Sequence, residues 1–476
     1  MNHLRSVQSA MTTSSTDTGL PISLDLISKY DRSGPRYTSY PTADRFIEAC
    51  NADSVQQWLD ARTIGGYLRP LSLYVHIPFC ANICYYCACN KIITKDHTHA
   101  AKYLRYLERE ISMQHEMTTS DDSVGQMHWG GGTPTFLKFP EMQQLMKILR
   151  ERFNFADDCE SSIEVDPRTV DPAVIHGLVE LGFNRMSIGV QDFSPEVQLA
   201  VNRKQTKAET LLTLHSARRA GFRSINMDLI YGLPKQTAVD FSRTLDEVVD
   251  ARPDRIALYN FAYLPKLFKA QRRIDEADLP SPEVKLTLLM LAIQRLTNAG
   301  YEYIGMDHFA LPDDDLCVAQ RQGRLHRNFQ GYSTHGDTDL LSFGVSAIGA
   351  IGPNYYQNFR TLDEYYDSLD RGVLPVMRGL ELDTDDLMRR AIIQSLMCNF
   401  NLSMEAIEVA YLIDFKKYFA KELEDLTAFE ADGLARIDGD TIAVTESGRF
   451  LVRHICMVFD RYLRLQTQRS HYSKVI

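Results

Sequence analysis

The stretch LSLYVHIPFCANICYYCACNK (71–91) carries two signals side by side. Its first part, LSLYVHI (71–77), is apolar and rich in β-formers, so it reads as a strand. Directly behind it Cys80, Cys84, Cys87 and Cys89 crowd into ten residues. A strand that delivers thiols on the loop at its C-terminal end is the arrangement by which α/β folds build sites.

Outward from this stretch the pattern repeats. Short β-like runs follow at QMHWG (126–130), SSIEV (161–165), RMSIGV (185–190), SINMDLI (224–230) and RIALYNF (255–261), separated by amphipathic runs at 98–116, 138–152, 207–220 and 238–251. Six strands alternating with helices imply βαβ units and a parallel sheet, closed or partly closed into a barrel. The alternation alone does not separate six units from eight, or a barrel from a doubly wound sheet. Unusual residues recur where the strands end: Gly130 to Thr135, Glu164, Gln191, Asp228 and Tyr263. One pocket at the strand ends is expected to collect them.

Before the first strand, KYDRSGPRYTSYPT (29–42) interleaves aromatics and Arg with Gly34, Pro35 and Pro41, which break any helix. A helix is expected at 52–61. From about 361 the texture turns helical, clearest at 389–400. LARIDGDTIAV (434–444) reads as a hairpin turning at Gly439-Asp440, and one last helix is expected over 446–465. This order is winged-helix-like, yet it lacks a dense basic stripe, so a packing or lid domain is expected rather than a DNA binder.

The whole chain has 476 residues, 44% hydrophobic and 24% charged, with a net charge of -10. That composition describes a globular protein with ample core material, and its acidity argues against non-specific binding to nucleic acid or acidic lipid. No apolar run reaches the ~18 residues of a membrane span, and the Ser/Thr-rich start has no apolar signal stretch, so a cytoplasmic protein with a disordered tail over 1–24 is expected. Nine cysteines, an odd number with four in one loop, point to metal or redox chemistry in a reducing compartment rather than to a disulfide framework.

The spacing Cys80-x3-Cys84-x2-Cys87 offers three thiolates, one fewer than a 4Fe–4S cube normally takes, and leaves one iron open. A zinc site built from Cys80, Cys84, Cys87 and Cys89 is the alternative, though zinc ligands usually come as two separated pairs. The run Gly130-Gly131-Gly132 is either a tight turn or a place where backbone approaches a ligand with no Cβ in the way. Glu164 and Asp228 sit in otherwise apolar strands, where a carboxylate needs a partner: a core ion pair or a ligand.

YVHIPFCANICYYCACNK (74–91) resembles the cluster loop of oxygen-independent coproporphyrinogen III oxidases, radical S-adenosylmethionine (SAM) enzymes of heme biosynthesis. The resemblance extends through RYTSYPT (36–42), HWGGGTPT (128–135), IEVDPR (163–168), SIGVQDF (187–193), VNR (201–203), MDLIYGLPKQT (227–237), GMDHFA (305–310) and HRNFQGY (326–332), from about residue 25 to the C-terminus. It implies a partial (β/α)6 barrel over 71–360, an N-terminal strap over 25–70 and a mainly helical domain over 361–476. It also implies one 4Fe–4S cluster on Cys80, Cys84 and Cys87, two SAM molecules, and oxidative decarboxylation of two propionates of coproporphyrinogen III to vinyl groups. Tyr74, Tyr86, Gly131, Glu164 and Ile348 are the positions implied for the cluster-bound SAM. Gly132, Thr133, Gln191, Arg203, Asp228 and Ala262 are those implied for the second. Tyr86 stands where the family usually has Phe and keeps the stacking face. Cys89 is implied to be needed for turnover without ligating the cluster.

An electron donor and an acceptor are required, and a monomer is expected. Radical SAM heme chaperones, which bind and deliver heme, are the alternative; they typically lack the Cys89 and RYTSYPT equivalents. A substrate with four propionates needs a locally basic pocket, and Arg36, with Arg327 and Gln330, is expected to grip it.

Overall fold

A computed structural model describes residues 22–30, 32–62, 69–119 and 122–465. Most of the tail expected over 1–24 therefore lies outside the described residues. Six parallel strands form the centre: β1 (Leu71–Ile77), β2 (Ser123–Gly131), β3 (Asn154–Val165), β4 (Arg185–Gln191), β5 (Ser224–Tyr231) and β6 (Arg255–Asn260), neighbours in chain order. The helices between them include Thr98–Glu116, Phe139–Arg152, Pro172–Glu180, Lys207–Ala220 and Ala238–Ala251.

The sheet does not stop there. Asp339–Phe343 pairs parallel with β1 on its free side, and Ile348–Ile351, Asn354–Asn358 and Val376–Glu381 follow antiparallel. Beyond β6 lie His308–Ala310 and Glu302–Gly305, also antiparallel. The result is one twelve-stranded sheet whose two outer strands do not pair with each other, which makes the barrel partial. It reaches Glu381, past the boundary expected at 360, because the last edge strand returns after an intervening helix, Leu362–Asp370.

Alternation along the strands divides two environments. Leu71, Leu73, Val75 and Ile77 of β1, with Met127 and Trp129 of β2, are fully buried and join the core that includes Tyr103, Leu107 and Leu145 of the covering helices. The other face is polar: Ser72 meets Gln126, Gln126 meets Glu160, Glu160 meets Arg185, and His128 meets Ser162. Period-two geometry places these residues in the lumen.

The strap runs over the barrel and pairs Ile47 with Gly379 of the edge strand. The hairpin His326–Asn328/Gly331–Ser333 crosses the lumen, with Ser333 Oγ donating to Gln126 of β2 and Tyr332 packing edge-on to His308. In the C-terminal part, Ala435–Asp438 and Thr441–Val444 form the expected hairpin around Gly439, and Asn401–Ser403 adds a third strand.

The single helix expected over 446–465 is corrected to three short ones: Glu446–Arg449, Val452–Val458 and Arg461–Leu465. The breaks fall at Phe450–Leu451 and Phe459–Asp460. A Cβ at Gly448 would lie 1.9 Å from the Leu434 carbonyl oxygen, and Asp460 accepts the amides of Tyr462 and Leu463 at the start of the last turn.

Candidate active site

The C-terminal ends of the six strands open onto a cavity of about 490 Å³. Cys80, Cys84, Cys87 and Cys89 line it from the loop after β1, and Gly131, Gly132 and Thr133 from the end of β2. Glu164, Gln191 and Asp228 reach it from β3, β4 and β5, and Arg203 from the segment after β4. The sixth strand contributes Tyr259 rather than Tyr263, which packs against Phe261 outside the cavity.

The cysteine loop is fastened at both ends. Ile92 and Thr94 amides donate to the Pro78 and Cys80 carbonyls, while Tyr85 N donates to Val201 O at 2.9 Å and Asn202 Nδ2 to Ile83 O at 2.7 Å. Lys91 Nζ donates to the carbonyls of Cys87 and Cys89 at 2.9 and 3.3 Å, so a cation folds back under the loop. Arg203 Nη1 lies 3.8 Å from Cys84 Sγ and 3.5 Å from Asp166 Oδ2, and Thr133 Oγ1 lies 3.4 Å from Cys80 Sγ. Burial pushes the Cys80 thiol up to about 11, whereas the hydrogen bond from Cys89 draws the Cys87 thiol below its ordinary value.

The glycines are needed for space. Gly131 has φ +114°, and a Cβ there would meet the His76 ring at 2.7 Å; a Cβ on Gly132 would meet the Pro78 carbonyl oxygen at 2.6 Å. Glu164 is fixed from two sides, accepting Gly131 N at 3.2 Å and lying 3.3 Å from His128 Nε2. Asp228 accepts from Ser187 and Asn226 at 2.9 and 2.8 Å. Burial, reinforced by the Glu164 charge, pushes Asp228 up to about 6. A cationic ligand lowers the cost of ionising Asp228.

Not every expected residue lies in the cavity wall. Tyr74 sits behind it, stacked on His128 at 5.9 Å and 3.1 Å from His76 Nδ1. Ala262 offers its carbonyl to Gln271 Nε2, and half-buried Ile348 packs against the apolar cluster of Phe46, Tyr355 and Leu382. Arg36 reaches Tyr259, its guanidinium 5.7 Å from the ring centroid, but is already paired with Asp307. Arg327 and Gln330 belong to the hairpin across the lumen. Asp166, Arg168, His128 and Tyr259 were not singled out from the sequence. Asp166 and Arg168 stand in IEVDPR, and His128 and Tyr259 are readable as lumen positions in step with Gly130 and Ala257.

The donor set suits an iron–sulfur cube and SAM. Three thiols share one wall, with backbone and a cation fixing their loop, and a pair of carboxylates, Glu164 and Asp228, stands in the same cavity where the cationic end of SAM can meet them. Among the described residues no three His, Cys, Asp or Glu converge as around a single ion; a cube spreads its thiolates over separate irons.

Residues 74–248 match the model of the Radical SAM superfamily, and residues 382–451 match that of the HemN C-terminal domain. Fold and site thus define a radical SAM enzyme. The oxygen-independent coproporphyrinogen III oxidase of Pseudomonas aeruginosa is 54% identical over 455 residues, covering 95% of this chain and 98% of that protein. That of Escherichia coli K12 is 51% identical over 454 residues, with the same shares covered. The solved structure described as "Coproporphyrinogen III oxidase (HemN) from Escherichia coli is a Radical SAM enzyme" superposes with a TM-score of 0.89 at 50% identity, covering 93% of this chain and 99% of that one. This chain belongs to the oxygen-independent coproporphyrinogen III oxidase family.

Proposed function

We propose that the chain oxidatively decarboxylates two propionate side chains of coproporphyrinogen III to vinyl groups without oxygen, giving protoporphyrinogen IX in heme biosynthesis. The observation that carries the reading is the single cavity in which three loop thiols face Glu164 and Asp228 across the strand ends.

Cys80, Cys84 and Cys87 hold the 4Fe–4S cluster, and Lys91 and Arg203 keep the loop and the Cys84 thiolate in place. Bound there, the cluster and SAM would supply the radical chemistry that oxidises each propionate, with loss of CO2, to a vinyl group. Glu164, oriented by Gly131 N and His128, holds the cationic end of the first SAM, with Tyr86, Gly131 and Tyr74 around it. Asp228, Gln191, Arg203, Gly132 and Thr133 hold the second, with Ala262 at its edge. Cys89, outside the ligand set, serves turnover.

An external donor reduces the cluster and an acceptor takes the final electron. No helix among the described residues is long and apolar enough to cross a membrane. The protein acts as a cytoplasmic monomer. The deciding experiment incubates anaerobically purified protein with coproporphyrinogen III, SAM and a reductant. Protoporphyrinogen formation is expected, and intact substrate beside a full cluster and bound SAM would refute the reading.

A further inference from the structure

A second cavity, of about 400 Å³, lies between the hairpin His326–Ser333, the helix Thr384–Asn399, the strap and the edge strands. Its charge is one-sided. Arg69, Arg327, Arg390, His326 and His335 line it, and the described residues of its wall include no Asp or Glu. In a chain of net charge -10 such a wall has to be built deliberately.

The three arginines differ in what they already hold. Arg69 forms an exposed pair with Asp337 at 3.2 Å. Arg390 Nη1 makes a long contact, 3.4 Å, with the Tyr355 hydroxyl. Arg327 is 5% exposed, yet its Nε and Nη1 have no hydrogen-bond partner among the described residues. Its backbone is locked by Gln394, which accepts from Arg327 N at 3.1 Å and donates to Arg327 O at 2.6 Å. The Tyr332 ring, 4.8 Å from the guanidinium carbon, offsets part of the cost of burying that charge. The two idle donors face different edges of the guanidinium, so each is free to take a carboxylate oxygen of its own.

The cavity is joined to the cluster site by a row of rings. Tyr332 lies edge-on to His308 at 5.3 Å, His308 lies edge-on to Tyr259 at 6.0 Å, and Tyr259 lines the cluster cavity. Cations therefore stand at one end of a row of mutually edge-on rings, and the cluster cavity at the other.

We infer that the arginine-lined cavity holds the propionates that the reaction leaves intact, with Arg327 as their principal partner and Arg390 as the second. The inference rests on the decarboxylase reading and adds the end of the substrate remote from the chemistry. A macrocycle that presents one propionate to the cluster cavity carries its other carboxylates away from it, towards the side on which the arginines stand. Substrate choice is then made far from the radical, by whether the remote carboxylates find their arginines.

The test is anaerobic fluorescence titration of the holoenzyme with three oxidised porphyrins. Coproporphyrin III has all four propionates, mesoporphyrin IX only the two at the retained positions, and etioporphyrin none. Arg327→Met is expected to weaken coproporphyrin III and mesoporphyrin IX alike by about 10- to 100-fold. Etioporphyrin binding, SAM binding and iron content should stay unchanged. Arg390→Met should weaken the same two porphyrins less, and it decides the matter if Arg327→Met does not fold. A loss confined to coproporphyrin III would assign Arg327 to the reacting arms and overturn the inference, as would unchanged affinities in both variants. Wild-type protein that binds none of the three porphyrins would overturn the inference, and one that also leaves coproporphyrinogen III intact in the turnover assay would overturn the decarboxylase reading itself.

Discussion

Arg36 Nη1 donates to Asp307 Oδ2 at 3.0 Å, tying the strap to the turn between two edge strands while its guanidinium stands 5.7 Å from the Tyr259 ring centroid. The pair is 31% and 12% exposed, so it is worth about 1 kcal/mol or less to stability. Arg36→Ala is therefore expected to raise the substrate KM or lower kcat with the melting temperature near wild type. Steady-state kinetics beside a thermal melt checks this; normal kinetics, or a lowered melting temperature as the sole defect, would sink the substrate role.

The loop thiols divide into ligands and a bystander. Cys80→Ser, Cys84→Ser and Cys87→Ser are expected to lose the iron–sulfur absorbance, since a hard serine oxygen replaces a soft thiolate. Cys89→Ser should keep the cluster and lose turnover. Iron content falling equally in all four variants would make Cys89 a fourth ligand.

Asp228 connects SAM binding to pH. It is held near a pKa of about 6 by burial and the Glu164 charge, and a sulfonium favours its ionised form. The second SAM should bind tightly above pH 6 and progressively more weakly as pH falls through 6, with proton release on binding near that pH. Calorimetry in buffers of different ionisation enthalpy measures the release. Asp228→Ala should reduce bound SAM from two per chain to one with the cluster intact; a wild-type stoichiometry of one would refute the second site.

Glu110 makes a separate prediction about stability. It is buried on helix Thr98–Glu116 and accepts from Gly344 N, Asn358 Nδ2, Tyr365 OH and Gln114 Nε2 at 2.6–3.2 Å. Burial pushes its carboxyl from the ordinary 4.5 up to about 7, against the pull of those donors. The folded state thus binds this proton more tightly than the unfolded chain. The group's contribution is complete below pH 4.5 and is lost as pH rises towards 7, by about 3 kcal/mol. Denaturant unfolding at pH 5 and pH 8 should show wild type losing stability relative to Glu110→Gln over that interval; parallel curves would refute it.

Much of this was written locally. The strand 71–77 and the helices 52–61, 98–116, 207–220 and 238–251 stand where periodicity puts them, because each element buries one face and its caps, such as Thr206 with Glu209, are adjacent in sequence. The pairing of Asp339–Phe343 with β1 was not legible, since no local pattern states which distant strand a short apolar run joins. The last helix divides at Asp460, whose carboxylate takes the amides of Tyr462 and Leu463 and also the Tyr37 hydroxyl, a contact that no local pattern states. At the site, thiols and lone carboxylates in apolar strands announced themselves. Asp166 and Arg168 did not, because a buried ion pair of neighbours looks in sequence like two surface charges.

The unpaired outer strands have a mechanical consequence. In a closed barrel the circumference is fixed by an unbroken ring of ladder hydrogen bonds, and widening the bore means breaking a row of them. Here the outermost strands, Val376–Glu381 and Glu302–Gly305, are not paired to each other, so the circumference has a seam. Spreading the flanks loads side-chain contacts such as Tyr332 against His308 and Ser333 against Gln126, and the strap that is tied to both edges through Ile47–Gly379 and Arg36–Asp307, but no ladder bond between the two outer strands. The bore can thus widen by loosening the hairpin and the strap, while the strand ends that carry the thiols keep their spacing.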